Sequence, residues 1–538
     1  MFWGDDIIAK FLTEYGEEAK KRPLVLRDEK TLSGRPHIGS LRSFVMHATL
    51  SDILTSRDIP HHYFYEINDT DAFDSVPPYV PQEFSEHLGK RLCDVPSPDS
   101  KAENYAMFFA QAYLHALTAS GYFFESYRNS EKYSEGAYDE YIRLALEKRQ
   151  QIRVIYQEVS GSEKPESWYP CQVICDQCGK IATTRLTGFD GKKVQYVCDA
   201  DTKYVKGCGF SGKKSPFRGN ATLPWKVEWA AKFCMMKVDL EGAGKDHYAA
   251  GGSRLVTNRI CEEIFGRKHP FDVRHEFILI GGAKMSSSAG TGATASEVFA
   301  LLPRYIFRFM MIQKDVMQTI NFSPEGDTIP ILFDQYDEIC RDYFSEANTE
   351  MKDHKKRFLE LTHADVTRKH EDFQQLNRFL PRFIQVAFFV QMPHVDIYKK
   401  FEEIKGAPLC ELDRAELDLR IEYAKKWLEV WSPEKYIFKI HEKVPESADL
   451  LDSHDREFLK ILAEFLKKQP DATGEMIQTF IYERKTALGL DSAKVFRAIY
   501  LSLLGKDSGP KAGWLLEALD NQFLLQRFEE VSKISFHG

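Results

Sequence analysis

The sequence predicts an α/β chain: a doubly wound parallel-sheet domain, interrupted by a cysteine-bearing inserted ribbon and followed by an all-α C-terminal domain. Three observations predict it. From Leu24 to Ile67 the chain reads strand, Gly-containing turn, helix, strand, a βαβ unit that begins a doubly wound sheet. Residues 168–215 gather Cys175, Cys178, Cys198 and Cys208 among Gly, Lys and Thr. From about residue 350 onward only helical apolar stripes are found.

The elements follow in order. Residues 5–21 read as a short amphipathic helix ended before Pro23. Leu24-Val25-Leu26 reads as a short buried strand, and Asp28 to Pro36 as a polar turn. Leu41, Val45 and Ala48 recur at helical spacing and predict a helix to about Arg57; His61 to Ile67 is the second strand. Residues 100–160 are helical by pattern, and Val194 to Val197 is a short β run within the ribbon. The α/β pattern returns near residue 220: a helix with Trp225 and Trp229, a Gly-rich segment from Gly242 to Gly252, a further helix and a strand from Phe277 to Ile280. In the tail, Leu417, Ile421, Ala424 and Leu428 form one helical stripe, and Phe458, Ile461, Leu462 and Phe465 another.

Composition sets the bounds. A chain of 538 residues suggests roughly three to four domains at about 150 residues each. The 43% hydrophobic content excludes disorder and collagen-like order. No run approaches the ~18 apolar residues of a membrane span, and the start lacks a signal-peptide pattern. The expected address is cytoplasmic. There the ten cysteines are not a disulfide framework, and the four clustered ones read as metal ligands. Cys175-x₂-Cys178 with Cys198-x₉-Cys208 suits a tetrahedral structural Zn²⁺, with Cys171 as a possible substitute ligand. Cys93, Cys234, Cys261, Cys340 and Cys410 are expected to be core residues. Gly207-x₄-Gly212-Lys213-Lys214 mimics a P-loop but has Lys214 where a hydroxyl must hold Mg²⁺, and is rejected. Lys213, Lys214 and Arg218 read as a basic rim or as solvated charge. The net charge of −8 means that any polyanion must be met by cations gathered locally.

Two constellations carry chemistry. Ser33-Gly34-Arg35-Pro36-His37-Ile38-Gly39-Ser40 stands at a helix start after the first strand, where free N–H groups suit phosphate and His37 can donate to a phosphate oxygen. Lys284-Met285-Ser286-Ser287-Ser288 follows a strand and a Gly281-Gly282 hinge, and its lysine and hydroxyls can clamp a triphosphate.

Together, His37-Ile38-Gly39 and Lys284 to Ser288 resemble the two signatures of class I aminoacyl-tRNA synthetases. Ser40 replaces the usual second histidine and Ser287 the usual second lysine, departures that match the class I lysyl-tRNA synthetases. Asp69 to Pro77, Tyr133 to Tyr138, Leu223 to Trp229, Gly244 to His247, Gly251 to Ser253, Phe496 to Tyr500 and Gly505 to Lys511 resemble further segments of that family. The resemblance is dense before residue 330 and sparse from 330 to 490.

It implies a Rossmann-type catalytic domain and the reaction of L-lysine, ATP and tRNA(Lys) to lysyl-tRNA through lysyl-adenylate, with Mg²⁺. It assigns His37 and Lys284 to catalysis. ATP binding falls to Ser33, Gly34, His37, Gly39, Gly251, Gly252, Ser253, Lys284, Met285, Ser286, Ser287 and Ser288. The candidates for lysine recognition are Asp28, Glu29, Thr31, Trp225, Asp246, His247 and His275. Glu29 stands where the family commonly has glycine, and His275 where an aromatic such as tyrosine is usual. Either the pocket is rebuilt with Glu29 as the ammonium partner, which is the expectation, or the alignment slips there. The rivals are the same class acting on glutamate or cysteine, a small-molecule nucleotidylyltransferase, and a non-catalytic relative. The expected domains are 1–95 and 216–283 for the split catalytic domain and 96–215 for the insertion. Residues 284–350 form the loop and linker, and 351–538 a helical anticodon-binding domain. The oligomeric state is not legible; a monomer is expected.

Overall fold

The computed structural model describes residues 2–280, 294–345, 352–364, 373–392, 395–487 and 491–533. The chain divides into two compact units, Met1–Phe322 with Asp342–Phe373, and Ser323–Arg341 with Gln374–Gly538.

The first unit is built on a five-stranded parallel sheet. In chain order its strands are β1 (Leu24–Thr31), β2 (His61–Asn68) and β3 (Glu125–Arg128). After the ribbon come β9 (Leu240–Gly244) and β10 (Phe271–His275), and the spatial order is β10-β9-β1-β2-β3. The chain therefore winds outward from β1 in one direction and then from β1 in the other. That reversal is a topological switch point, where open α/β sheets bind ligands beyond the strand C-termini. Helix α1 (Trp3–Ala19) packs on α2 (Leu41–Ser56), and α2 covers β1. Ile8, Phe11, Leu24, Leu26, Phe44, Leu50 and Ile53 are fully buried and form the core beneath them.

Four expectations about this sheet are corrected. β1 does not stop at Leu26 but runs to Thr31, because Arg27, Asp28 and Glu29 find charged or hydrogen-bonding partners on both faces. β3 interrupts the stretch expected to be helical, pairing with β2 from Phe64↔Glu125 to Ile67↔Arg128. β9 forms within the start of the Gly-rich segment. The edge strand is β10, whose polar spelling hid it. β11 (Ile278–Ile280) instead pairs with β12 (Ile320–Phe322) outside the main sheet.

The insertion holds a short ladder, β4 (Gln172–Val173) with β8 (Ala221–Thr222), and a meander of β5 (Arg185–Phe189), β6 (Val194–Val197) and β7 (Ser211–Lys214). Gly212, Lys213 and Lys214 lie on β7, an antiparallel strand, so the P-loop mimic has no strand–loop–helix setting.

The second unit is helical among its described residues. Its core is not purely apolar. Arg420 is fully buried and gives two hydrogen bonds to Asp337, at 2.8 and 2.6 Å, and one to Glu416 at 2.6 Å. Phe333 stacks on Phe383 at 4.2 Å. The buried stripe of helix Glu411–Val430 is Leu417, Arg420, Ala424 and Trp427, with Ile421 and Leu428 at its margin. In helix Ser453–Lys468 it is Phe458, Leu459, Leu462 and Leu466.

Candidate active site

Successive side chains of a strand point to opposite faces. On β1 this separates Asp28 from its neighbours Arg27 and Glu29. Asp28 turns toward α2, where its Oδ1 accepts from Ser43 Oγ at 2.9 Å, and its Oδ2 lies 3.6 Å from His47 Nδ1. Burial pushes the Asp28 carboxyl up to about 7. On the same face His47 Nε2 accepts the Gly242 N–H at 2.8 Å, while Nδ1 lies 2.9 Å from the Ser43 carbonyl. These two bonds suit a neutral ring, and burial holds the His47 pKa down to about 4. His275, at the end of β10, is buried in the same region, and burial lowers its pKa to about 4.

The other face carries an ionic network. Arg27, with no exposed surface, bonds to Glu66 and Glu241 at 2.6 Å each, to Tyr127 at 2.9 Å, and to Glu29. Lys232, from helix Trp225–Met235, is equally buried and pairs with Glu29 at 2.9 Å, Glu66 at 2.7 Å and Glu228 at 2.9 Å. Tyr133 donates to Glu228 at 2.6 Å and stacks on Tyr138 at 3.9 Å, fastening the insertion to this helix. Burial alone would raise the Glu29 pKa, but Lys232 and Arg27 hold it at about 2. Burial holds Glu228 up at about 7. Both cations contact Glu29 Oε2; among the described residues Oε1 accepts no bond. Thr31, farther along the strand, donates to Asp71 at 2.7 Å.

An aromatic wall adjoins this network. Trp229 bonds through its indole N–H to Glu241, and Trp225 lies 6.2 Å from Trp229 in a stacked arrangement. The His247 ring sits 5.5 Å from Trp229 and 6.2 Å from Trp225, both edge-on. His247 Nδ1 lies 2.7 Å from Ser253 Oγ, which joins the two Gly-rich segments. Gly251 has φ +74°, and a Cβ on Gly252 would stand 2.4 Å from the His247 carbonyl oxygen, so both positions require glycine. Asp246 lies on the same turn, Lys245–Tyr248.

Beyond β1, His37 precedes a 3₁₀ turn, Ile38–Ser40, that leads into α2. The Tyr105 hydroxyl donates to the Ser33 carbonyl at 3.0 Å, and the Arg35 N–H donates to Tyr79 Oη at 2.7 Å, which secures the Ser33–Gly34 loop. His37 Nδ1 is buried and has no hydrogen-bond partner among the described residues. Burial, reinforced by Lys30, lowers the His37 pKa to about 4, so the ring is neutral near pH 7 and donates one N–H. Gly39 lies within the turn. Lys284, Met285, Ser286, Ser287 and Ser288 fall outside the described residues. The chain on either side of them is described: β11 packs against the Ile38–Ser40 turn, and Thr294 forms an antiparallel bridge with His37.

The structure thus gathers Glu29, Thr31, Trp225, His247 and Ser253 around one face of the sheet end. Asp28 and His275 lie on the opposite face, with α2. Sequence reasoning missed Arg27, Glu66, Glu228, Lys232 and Glu241. Their signal was present: charges inside otherwise apolar runs, with Glu228 and Lys232 one helical turn apart.

In the insertion, Cys175, Cys178, Cys198 and Cys208 bring their sulfurs within 4.8 Å of one another. Cys175 to Cys208 and Cys178 to Cys198 are both 3.7 Å. Four thiolates at ~2.3 Å from a tetrahedral metal would be about 3.8 Å apart, so the donor set fits. A Cβ on Gly207 would stand 2.1 Å from the Cys198 carbonyl oxygen, so the second cysteine pair closes only over glycine. Cys171 is buried and outside this cluster. Cys410, expected in the core, is exposed at the start of helix Glu411–Val430, and Cys93 is half-buried.

The family model for class I (K) tRNA synthetases matches residues 1–365. The chain belongs to this family. It is 32% identical to a lysine–tRNA ligase of Methanosarcina barkeri, over 99% of this chain and 98% of the relative. It is 31% identical to a lysine–tRNA ligase of Archaeoglobus fulgidus, over 92% of this chain and 94% of the relative. A solved glutamate tRNA ligase from Elizabethkingia meningosepticum aligns with 95% of this chain and 99% of its own at 15% identity, with a TM-score of 0.42.

Proposed function

We propose that this chain is a lysine–tRNA ligase that activates L-lysine with ATP and passes the lysyl group to the 3′ end of tRNA(Lys). One arrangement carries the reading. The strand that leads to the His37 turn also presents Glu29 Oε1, which accepts no bond among the described residues, at the edge of a carboxylate-rich network. Glu29, Glu66, Asp71, Glu228 and Glu241 outnumber Arg27, Lys232 and Arg254 there. An arriving ammonium would meet a surplus of negative charge, whereas a glutamate side chain would be repelled. The aromatic wall of Trp225, Trp229 and His247 adjoins this network and offers apolar surface to the lysine methylenes.

The chemistry asks for no protein nucleophile. A lysine carboxylate oxygen forms a bond to the α-phosphorus of ATP, the bond from that phosphorus to the bridging oxygen breaks, and pyrophosphate leaves. ATP enters with Mg²⁺ as its counter-ion. The neutral His37 donates its N–H to a phosphate oxygen as charge accumulates, and Lys284 meets the leaving pyrophosphate. Gly39, Gly251 and Gly252 allow the nucleotide to approach the backbone, with Ser33, Gly34 and Ser253 beside it. Ser286, Ser287 and Ser288 offer hydroxyls. In the second step the 2′-hydroxyl of the terminal ribose attacks the activated carbonyl and AMP leaves.

Zn²⁺ is the metal best suited to Cys175, Cys178, Cys198 and Cys208: with four thiolates it fastens the ribbon and leaves no position for a reactive water. No helix among the described residues is long and apolar enough to cross a membrane, and a cytoplasmic address goes with the proposed role in translation. In the helical unit a cleft of about 900 Å³ is lined by Lys511 and Trp514, and by Lys400 paired with Glu403 and Glu517. ATP–pyrophosphate exchange with each amino acid, with and without tRNA(Lys), tests the reading.

A further inference from the structure

The cations expected to rim the insertion are occupied. Lys213 meets Asp190 at 2.9 Å and Lys214 meets Asp176 at 2.6 Å. Arg218 donates to the Glu135 carbonyl at 2.7 Å and lies 3.6 Å from Asp139. Such exposed pairs are solvated charge.

Lys164 and Lys226 differ. Among the described residues neither ammonium has a carboxylate partner, and each lies instead against aromatic rings. Lys164 Nζ is 5.2 Å from the centre of the Tyr156 ring and 5.8 Å from that of Trp168. Lys226 Nζ is 5.5 Å from the same Tyr156 ring and 5.5 Å from Trp225. Two like charges therefore share one ring from two different elements. Burial lowers the Lys226 pKa, and Lys164 lowers it further. An anion set between the two would remove their repulsion.

Both line a cleft of about 650 Å³, within the range of roughly 300–1,000 Å³ typical of ligand sites. Its lining includes Tyr156, Trp168 and Trp225 and contains no aspartate or glutamate. Trp225, 51% exposed, belongs both to this cleft and to the aromatic wall of the sheet end. Tyr156 is buried, Trp168 is half-buried and Trp225 is exposed; cations beside such rings, without acids, make a surface for single-stranded nucleic acid, where open rings stack on bases and ammonium groups meet phosphates.

We propose that this cleft binds an unpaired, phosphate-bearing nucleotide at the 3′ end of the substrate RNA, with Lys164 and Lys226 on its phosphates and Trp168 and Trp225 against its base. The inference rests on the tRNA-ligase reading. A free mononucleotide offers the same chemistry. Continuity with the wall of the site where the terminal ribose must react favours the RNA end.

A binding cycle tests it. The affinities of the full-length native protein and of K164Q/K226Q are measured by fluorescence anisotropy for tRNA(Lys) and for the same RNA without its unpaired 3′ nucleotides. Removing those nucleotides is expected to weaken native binding about tenfold and to leave binding to the variant almost unchanged. The variant's binding to intact tRNA should weaken comparably, with a salt slope shallower by about 1.4 for two lost single-strand contacts. K164R/K226R should restore both. Equal losses for native and variant protein on RNA truncation would overturn the proposal, as would displacement of the intact RNA's 3′ end by millimolar AMP with no effect of either lysine. If the native protein charges no tRNA with lysine, the parent reading fails. If it charges normally while the cycle is additive, only the cleft assignment fails.

Discussion

Thr294 forms an antiparallel backbone bridge with His37, and the Ala295 N–H donates to the Pro36 carbonyl at 3.2 Å. A residue six positions after Ser288 is thereby fixed beside a residue more than 250 positions earlier. Backbone pairing at Thr294 and packing of β11 against the Ile38–Ser40 turn bring the described chain before and after residues 281–293 to the His37 turn.

If both groups stabilise charge that develops on phosphate, removing either should act on rate rather than on binding. His37→Ala and Lys284→Ala are each expected to lower kcat of lysine-dependent pyrophosphate exchange by about 10²–10³-fold, with KM for lysine within about threefold. A rise in KM alone would show a role in ground-state binding instead.

Glu29 is expected to act on the amino acid. Glu29→Gln keeps the shape and removes the charge, and should raise KM for lysine about tenfold or more while leaving KM for ATP unchanged. Steady-state exchange kinetics measure both; an unaltered KM for lysine would exclude Glu29 as the ammonium partner.

Lys232 neutralises three carboxylates from within the structure. Lys232→Met should destabilise the α/β unit by about 3–5 kcal/mol, because the buried Glu228 loses its cation and Glu66 is left with Arg27 alone. Urea denaturation followed by tryptophan fluorescence measures the loss.

His47 supplies a pH dependence. Its native pKa of about 4 lies below the ordinary value of 6.5, so between those values the unfolded chain binds the extra proton. Its contribution is present above pH 6.5 and is lost as pH falls toward 4. Arg27 and Arg254 oppose the ring's charge, Glu241 favours it, and Asp28 lies across from it on β1. A thermal series from pH 7 to pH 4.5 should fall less steeply for His47→Gln than for the native protein.

The cysteine cluster should hold one zinc per chain. Cys198→Ser is expected to abolish metal retention and to loosen the ribbon, whereas Cys171→Ser should leave the metal content intact. Elemental analysis of the purified variants distinguishes them.

The legible parts of the fold were those with strong periodicity. β1, α2 and β2 follow from apolar spacing, and the ribbon follows from its cysteines. β10 escaped because Phe271-Asp272-Val273-Arg274-His275 spells a polar segment, yet its charges are matched by Arg254, Asn258 and Tyr248. The site was legible where a motif carried it, as at His37. It was not legible where long-range pairing builds it. Asp28 and Glu29 are neighbours in sequence, but the strand period sends them to opposite faces, and only the folded chain shows that Glu29 shares Lys232 and Arg27 with Glu66.

The most direct test of the central claim is ATP–pyrophosphate exchange measured with all twenty amino acids, each with and without tRNA(Lys). The account expects exchange with lysine alone, lost in His37→Ala and weakened in lysine affinity by Glu29→Gln. Exchange driven by glutamate or cysteine, or none with lysine in the presence of tRNA(Lys), would contradict it.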